Sequence, residues 1–237
     1  MIDTLNRMKG IVWDIWKLPR VTLHFRTRSN FQEHDYNDVY QNFNSLHPKL
    51  LIIRKKELGV ALINLHAFQT FDDYLMSING KNSAAYYSRK AARRKYYFSE
   101  IDRNQYIDDI YAVNTSAKIR QNKYMKAAYL EKVSHYEGKG NYRYFGVINE
   151  TGVLVSYCNV GFYGDFANIS NLLGHKDYLN EGVMYLMIST LVQELMESEK
   201  GVRWLMYDTY FGASEGLRLF KHKLGFEPYR VTWKKDF

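Results

Sequence analysis

Apolar and polar residues alternate at Val21, Leu23 and Phe25, which predicts a strand, and the whole stretch from Pro19 to Leu65 reads as strand-like. Within it, Leu50–Arg54 and Val60–Leu65 are expected to pair as a hairpin across Glu57-Leu58-Gly59, with Gly59 supplying positive φ. The period then lengthens. Phe71, Tyr74, Leu75 and Ile78 recur at helical spacing, Asn79-Gly80 breaks the run, and a second helix is predicted from Ser83 to about Arg94. Lys95–Ile101 alternates again. Asp102 and Asn104 are suitable caps for a helix with Tyr106, Ile107, Ile110, Tyr111 and Val113 on one face, and a further helix is predicted over about Met125–Tyr136, ending at Gly138 and Gly140.

Two alternating runs, Tyr142–Asn149 and Gly152–Gly161, flank the turn Asn149-Glu150-Thr151-Gly152, and Phe166–Leu173 is a third strand of what reads as an antiparallel meander. A strongly apolar helix follows, with Val183, Leu186, Met187, Thr190, Leu191 and Leu195 on successive turns, and leads to a buried-type strand at Val202–Tyr207. A helix between two strands implies a crossover to a parallel neighbour. Ser214 then caps a helix ended by Gly225, and Tyr229–Lys234 closes the sheet. From Lys95 onward the order is strand, two helices, three strands, helix, strand, helix, strand. The expected division is a small N-terminal α+β lobe over residues 1–94 and a second domain over 95–237.

Composition narrows this picture. The 237 residues, 46% hydrophobic and 24% charged, suffice for a substantial core, and no Pro- or Ser/Gly-rich linker interrupts them. The single cysteine, Cys158, lies in an apolar-alternating run, which excludes an internal disulfide framework and suits a buried thiol in a reducing compartment. Gly10–Trp16 is a brief apolar stretch broken by Asp14, and nowhere do eighteen apolar residues run together, so a cytoplasmic protein with no transmembrane segment is expected. The net charge is +8, and part of the excess falls together at Arg89, Lys90, Arg93, Arg94 and Lys95, a basic helical stretch that suits nucleic acid, an acidic carrier protein, anionic lipid headgroups or plain solvent.

The most specific segment lies near the C-terminus. Ser214–Tyr229, in which an aromatic-bearing helix ends in Gly225-Phe226 before a last strand, resembles the final helix and turn of the GNAT acyltransferases. Many of those enzymes carry a tyrosine general acid four residues before the glycine, and here Lys221 stands there. Lysine at that place is similar to the FemABX-like peptidyltransferases, which move amino acids from charged tRNA onto cell-wall precursors. Ser116–Lys123 and Asp73–Arg94 resemble further segments of that branch, so the resemblance covers most of residues 70–237. It implies a mixed α+β GNAT fold, with a central mixed, mostly antiparallel sheet and helices on both faces. It also implies N-acyl or aminoacyl transfer to an amine on a small-molecule or glycan-precursor acceptor. Acyl-CoA, acyl carrier protein and aminoacyl-tRNA are all possible donors, with tRNA or acyl carrier protein as possible partners. In the GNAT pattern a glycine-rich turn holds pyrophosphate before the third helix. The corresponding run, Gly174–Gly182, brings Asp177 and Glu181 instead, which argues against ordinary acetyl-CoA use.

Acyl transfer needs donors aimed at a developing oxyanion and a route for a proton. The fold implied by the resemblance places the reacting centre where Phe166–Leu173 and Val202–Tyr207 splay, which makes Tyr207, Asp208 and Lys221 the catalytic candidates. Lys221 is expected to face Asp208 across the cleft; the plainer alternatives are a turn residue and an exposed helix lysine. Arg120, Gln121, His175, Tyr178 and Tyr210 are the substrate-binding candidates, Arg120 as a clamp for an acidic group. No His, Cys, Asp and Glu spacing suggests a metal, and Cys158 has no activating neighbour, so neither a metal nor a covalent intermediate is expected. The competing reading is a non-catalytic GNAT-like module that binds nucleic acid through the basic helix.

Overall fold

A computed structural model describes residues 17–26, 33–48, 52–80, 83–120 and 123–236. The first half comprises β1 (Arg20–Phe25), α1 (Glu33–Asn44), β2 (Val60–Asn64), α2 (Phe71–Ser77), α3 (Ala84–Arg93), β3 (Tyr97–Glu100) and α4 (Ile107–Thr115). Short elements follow, β4 (Ile119–Arg120), β5 (Lys123–Tyr124) and α5 (Ala127–Leu130). The second half comprises β6 (Tyr142–Ile148), β7 (Leu154–Phe162), β8 (Phe166–Gly174), α6 (Val183–Ser198), β9 (Trp204–Thr209), α7 (Glu215–Lys223) and β10 (Glu227–Lys235). Eight of the strands form one sheet in the order β1-β10-β2-β9-β8-β7-β6-β3, antiparallel except at the pairs β1–β10 and β8–β9.

The meander forms as the alternation predicts. Asn149 Oδ1 accepts from the N–H groups of Thr151 and Val153 at 3.0 and 2.9 Å, and Gly152 takes φ +85°, so a local hydrogen-bonded turn returns β6 into β7. All nine residues of β7 are buried because the strand is covered on both faces. On one face α6 packs Leu191, Leu195 and Met187 into the main core, and α3 lies beside it with Ser88 Oγ 2.7 Å from Ser189 Oγ. On the other face α4 sets Ile110 and Val113 against Leu154 and Tyr157.

A second apolar cluster lies at the other end of the sheet, where Phe25 meets the rings of Tyr40, Phe166 and Trp233 at centroid distances of 5.3, 5.0 and 5.8 Å. There the edge strand β1 bends back to the turn between β7 and β8: Arg26 N–H donates to Tyr163 O at 3.0 Å and Phe25 bridges Gly164. The helix α7 begins at Ser214, whose Oγ accepts from Leu217 N–H at 3.4 Å. Ser214→Ala should lower the unfolding free energy by about 1 kcal/mol in a urea titration, with the m-value unchanged.

Four expectations are corrected. The strand-like reading of Pro19–Leu65 misses α1, whose Tyr36, Val39, Tyr40 and Phe43 recur three and four residues apart and face the second cluster. Among the described residues the expected hairpin is absent: β2 pairs with β10 and β9, residues 52–59 carry turns and bends with one bridge from Arg54 to Leu46, and Leu50 and Leu51 lie outside the described residues. The division at Arg94/Lys95 is not a division of the sheet, because β2 sits between β10 and β9 and α3 packs on α6. The helix over Met125–Tyr136 shrinks to Ala127–Leu130. Beyond it the backbone finds other partners: Asn104 bonds both Tyr136 N–H and Tyr136 O, and Arg103 donates to Glu137 O at 2.6 Å.

Candidate active site

Strands β8 and β9 run parallel and pair only over Phe166–Asn168 and Trp204–Met206. Beyond those residues β8 continues to Gly174 and β9 to Thr209, so the backbone groups of β8 on that side lose their β9 partners and border a gap. A cleft of about 720 Å³ opens there. Met184 and Tyr185 of α6 and Leu217 and Phe220 of α7 line one side, and Tyr207 of β9 lies in its wall. The β4–β5 hairpin and Tyr129 line the other, with Tyr129 Oη donating to Asn171 Oδ1 at 2.8 Å.

Tyr207, Asp208 and Lys221 come together at the end of β9. Lys221 follows Leu217 and Phe220 on the inward stripe of α7, so its side chain is fully buried. Its Nζ donates to Thr209 O at 2.8 Å and lies 4.7 Å from the ring centre of Tyr207 and 5.7 Å from that of Tyr210. Burial lowers its pKa from 10.5 to about 8; Asp208 opposes that shift, while Lys56 adds to it. The expectation that Lys221 faces Asp208 across an open cleft is therefore revised: the ammonium lies among the rings of Tyr207 and Tyr210, and Tyr207 lines the cleft. Burial pushes the Tyr207 phenol up, with Cys158 and Asp208 adding to the effect.

Asp208 takes φ +52°, in the left-handed region that few non-glycine residues adopt. The β2–β9 register slips at the same place, between the pairs Val60–Thr209 and Leu62–Met206. The carboxylate, with a side-chain exposure of 59%, is ion-paired to Lys56 Nζ. Partial burial acts to raise its pKa, but the charge and hydrogen bond of Lys56, helped by Lys221, outweigh it and hold the carboxyl below its ordinary value. Lys56 is in turn anchored by its own carbonyl, which accepts from Trp233 Nε1 at 2.6 Å. Sequence reasoning missed Lys56, since nothing distinguishes it within Arg54-Lys55-Lys56-Glu57.

The substrate-binding candidates divide. Tyr210 Oη donates to Phe226 O and its N–H to Gly59 O at 2.7 Å, so it walls in Lys221. Arg120 lies in the cleft wall, yet its terminal nitrogens donate to Gly174 O at 2.8 Å, Val113 O at 2.7 Å and Ser116 Oγ at 2.9 Å. These protein oxygens take the place expected for a substrate acid, and burial lowers the guanidinium pKa. His175 and Tyr178 lie three residues apart, with centroids 5.4 Å from each other, on one side of the 3₁₀ turn Lys176–Glu181. The alternate residues Lys176 and Leu179 line the cleft instead. Gln121 lies outside the described residues.

The basic stretch after α3 is largely engaged with protein groups. Arg94 pairs with Glu181, Lys90 donates to Asn180 O at 3.0 Å, Lys95 bonds Glu150 at 2.7 Å and Arg89 donates to Asn79 Oδ1 at 3.0 Å. The Arg94 and Lys90 contacts tie the Gly174–Gly182 segment to α3, and all four together take support from the nucleic-acid reading. Cys158 is fully buried, and burial pushes its thiol up. Among the described residues no three His, Cys, Asp or Glu side chains converge as metal ligands, and no helix is long and apolar enough to cross a membrane.

A meander whose last strand diverges from a parallel neighbour, with a crossover helix beneath and a closing helix–strand pair, is the GNAT fold. No family model and no curated protein matches the chain. Among solved structures it is similar to FemX, with TM-score 0.56 and 11% identity over 72% of this chain and 59% of FemX. It also aligns with L-PGS from Bacillus licheniformis (17% identity, TM-score 0.45, 73% of this chain, 61% of that one). A third match is a tandem GNAT protein from the clavulanic acid biosynthesis pathway (14% identity, TM-score 0.46, 73% and 50%). The chain thus spans about three-fifths of FemX, whose likeness establishes the fold.

Proposed function

We propose that this chain is an acyltransferase that moves an acyl or aminoacyl group from a thioester or aminoacyl-tRNA donor to an amine. The observation that carries the reading is the cleft at the β8–β9 divergence, with Tyr207 in its wall and the Lys221 charge beside that ring. The donor lies along β8, where N–H groups without β9 partners serve the oxyanion that develops when an amine nitrogen attacks the acyl carbon. The C–N bond forms, the C–S or C–O bond breaks, and the proton lost by the amine leaves with the thiol or alcohol. Lys221, which reaches the centre through Tyr207, is a positioning residue whose charge stabilises the anionic intermediate. Asp208, held ionised by Lys56, anchors the incoming ammonium before it gives up its proton.

The reading is tested by mass spectrometry of a mixed amine panel incubated with acyl-CoA, acyl carrier protein thioesters and charged tRNA. Acyl transfer to at least one amine is expected. Asp208→Asn should raise the KM for that amine about tenfold while leaving donor affinity unchanged. Transfer from no donor, or an unchanged KM in the variant, would refute respectively the activity and the anchor.

A further inference from the structure

We infer that the chain carries a second ligand site, at the ends of β8 and β9 opposite the cleft, built for a small amino acid with an acidic side chain. This site stands apart from the acyl-transfer reading and is tested without it.

The first observation is a cavity and its setting. About 470 Å³ opens where β1 bends back to the turn between β7 and β8. Its wall includes Asp165, just before β8, and Arg203, just before β9, whereas the cleft lies beyond Asn168 and Met206 of the same strands. The main chain here is held in place. Asp165 O accepts from Arg203 N–H at 2.7 Å and from Trp204 N–H at 3.1 Å, and Asp165 Oδ1 accepts from His24 N–H at 2.9 Å.

The second observation is charge without a partner. Arg20 and Arg203 line the cavity, and among the described residues neither pairs with a carboxylate, because the acids nearby are engaged: Asp236 with His24 and Arg26, Glu57 with Arg230. The half-buried Asp165 carboxylate in turn pairs with no cation among the described residues, and burial pushes it up against the opposing pull of His24 and Arg26. Two guanidiniums and one carboxylate are thus left over around one cavity. Their complement is a molecule with two acid groups and one ammonium, and a guanidinium fork matches both oxygens of a carboxylate.

The third is the remaining wall. Asn64, at the end of β2, lines the cavity with a carboxamide whose buried Oδ1 finds no hydrogen-bond partner, an acceptor of the kind a bound ammonium satisfies. Trp204 and Tyr229, edge to face at 5.2 Å, give a short methylene stem an apolar surface, and the Arg203 guanidinium lies 5.6 Å from the Trp204 ring centre. A bare phosphate would leave Asn64 unsatisfied and repel Asp165.

Binding to the full chain is measured by titration calorimetry with L-glutamate, with glutarate, which lacks the ammonium, with L-glutamine, which lacks one acid, and with inorganic phosphate. Glutamate should bind about tenfold or more tightly than each of the others. Arg203→Gln should weaken glutamate by a similar factor. Asp165→Asn, which keeps an oxygen to accept from His24 N–H, should remove the preference for glutamate over glutarate; thermal melts of both variants confirm folding. No heat with millimolar glutamate, equal affinity for glutarate or phosphate, or glutamate binding that survives Arg203→Gln overturns the inference. A preference over glutarate that persists in Asp165→Asn overturns it as well.

Discussion

Lys221→Met should slow acyl transfer by about 100-fold or more at pH 7 while donor affinity changes little, because an interaction made chiefly in the transition state is lost. The pH profile separates this from a merely structural role. If the cation is what matters, the wild-type rate falls as pH rises through about 8, the value to which burial lowers Lys221, and the variant lacks that alkaline limb. Stability runs the other way. The folded-state pKa of about 8 lies below the ordinary value of 10.5, so above 10.5 the group is neutral in both states and costs nothing. As pH falls from 10.5 to 8 the unfolded chain takes up the proton first, the fold loses stability, and below 8 the loss is constant. Relative to Lys221→Met, the wild type should therefore be about 3 kcal/mol less stable at pH 7 than above pH 10.5. Parallel curves for the two proteins in urea titrations across that range would show that the lysine is not held in the buried position described.

Gly182→Ala is the second large effect. The residue has φ +90°, and an added Cβ would lie 2.4 Å from the Tyr87 carbonyl oxygen, so alanine brings both left-handed strain and a backbone clash. A loss of about 2–4 kcal/mol is expected in chemical denaturation. The clash should also push the start of α6 off α3, and amides of residues 175–182 should exchange with solvent faster than those of β7. An unchanged midpoint would mean that this segment is not clamped as the Arg94–Glu181 and Lys90–Asn180 contacts indicate.

Most of the fold from residue 95 onward is legible in the sequence, because strands with one dominant face and helices with strong caps announce themselves locally. Ser83 and Ser214 cap α3 and α7 as their residue types suggest, whereas Asp102 caps the 3₁₀ turn Arg103–Tyr106 and not α4 itself. What fails is non-local. The residues of β2 show that they form a strand, but nothing in them says that their partners are β9 and β10, some 140 and more positions away. The helix α1 is hidden because its tyrosines and Phe43 suit a strand as well as a helix by composition, and only their spacing decides. At the site, Lys221 is legible as a lysine interrupting an apolar stripe between Phe220 and Leu224. Lys56 is not, because it meets Asp208 only where a slip in strand register and a positive φ coincide. Arg120 is expected from its residue type to clamp a substrate acid, yet its donors answer two backbone carbonyls and Ser116 Oγ, partners that carry no sequence signature.

The order β1-β10-β2-β9 has a consequence for how the chain is made. β1 and β2, the two strands that flank β10, are both synthesised well before it. β2 finds its first strand partner only after β9 is synthesised, and β1, apart from its bridge at Gly164, has no ladder until β10 arrives. Until β9 and β10 are made the ladder edges of both strands are therefore open, and this part of the sheet closes over contacts of very long sequence separation, the regime of slow folding and chaperone dependence.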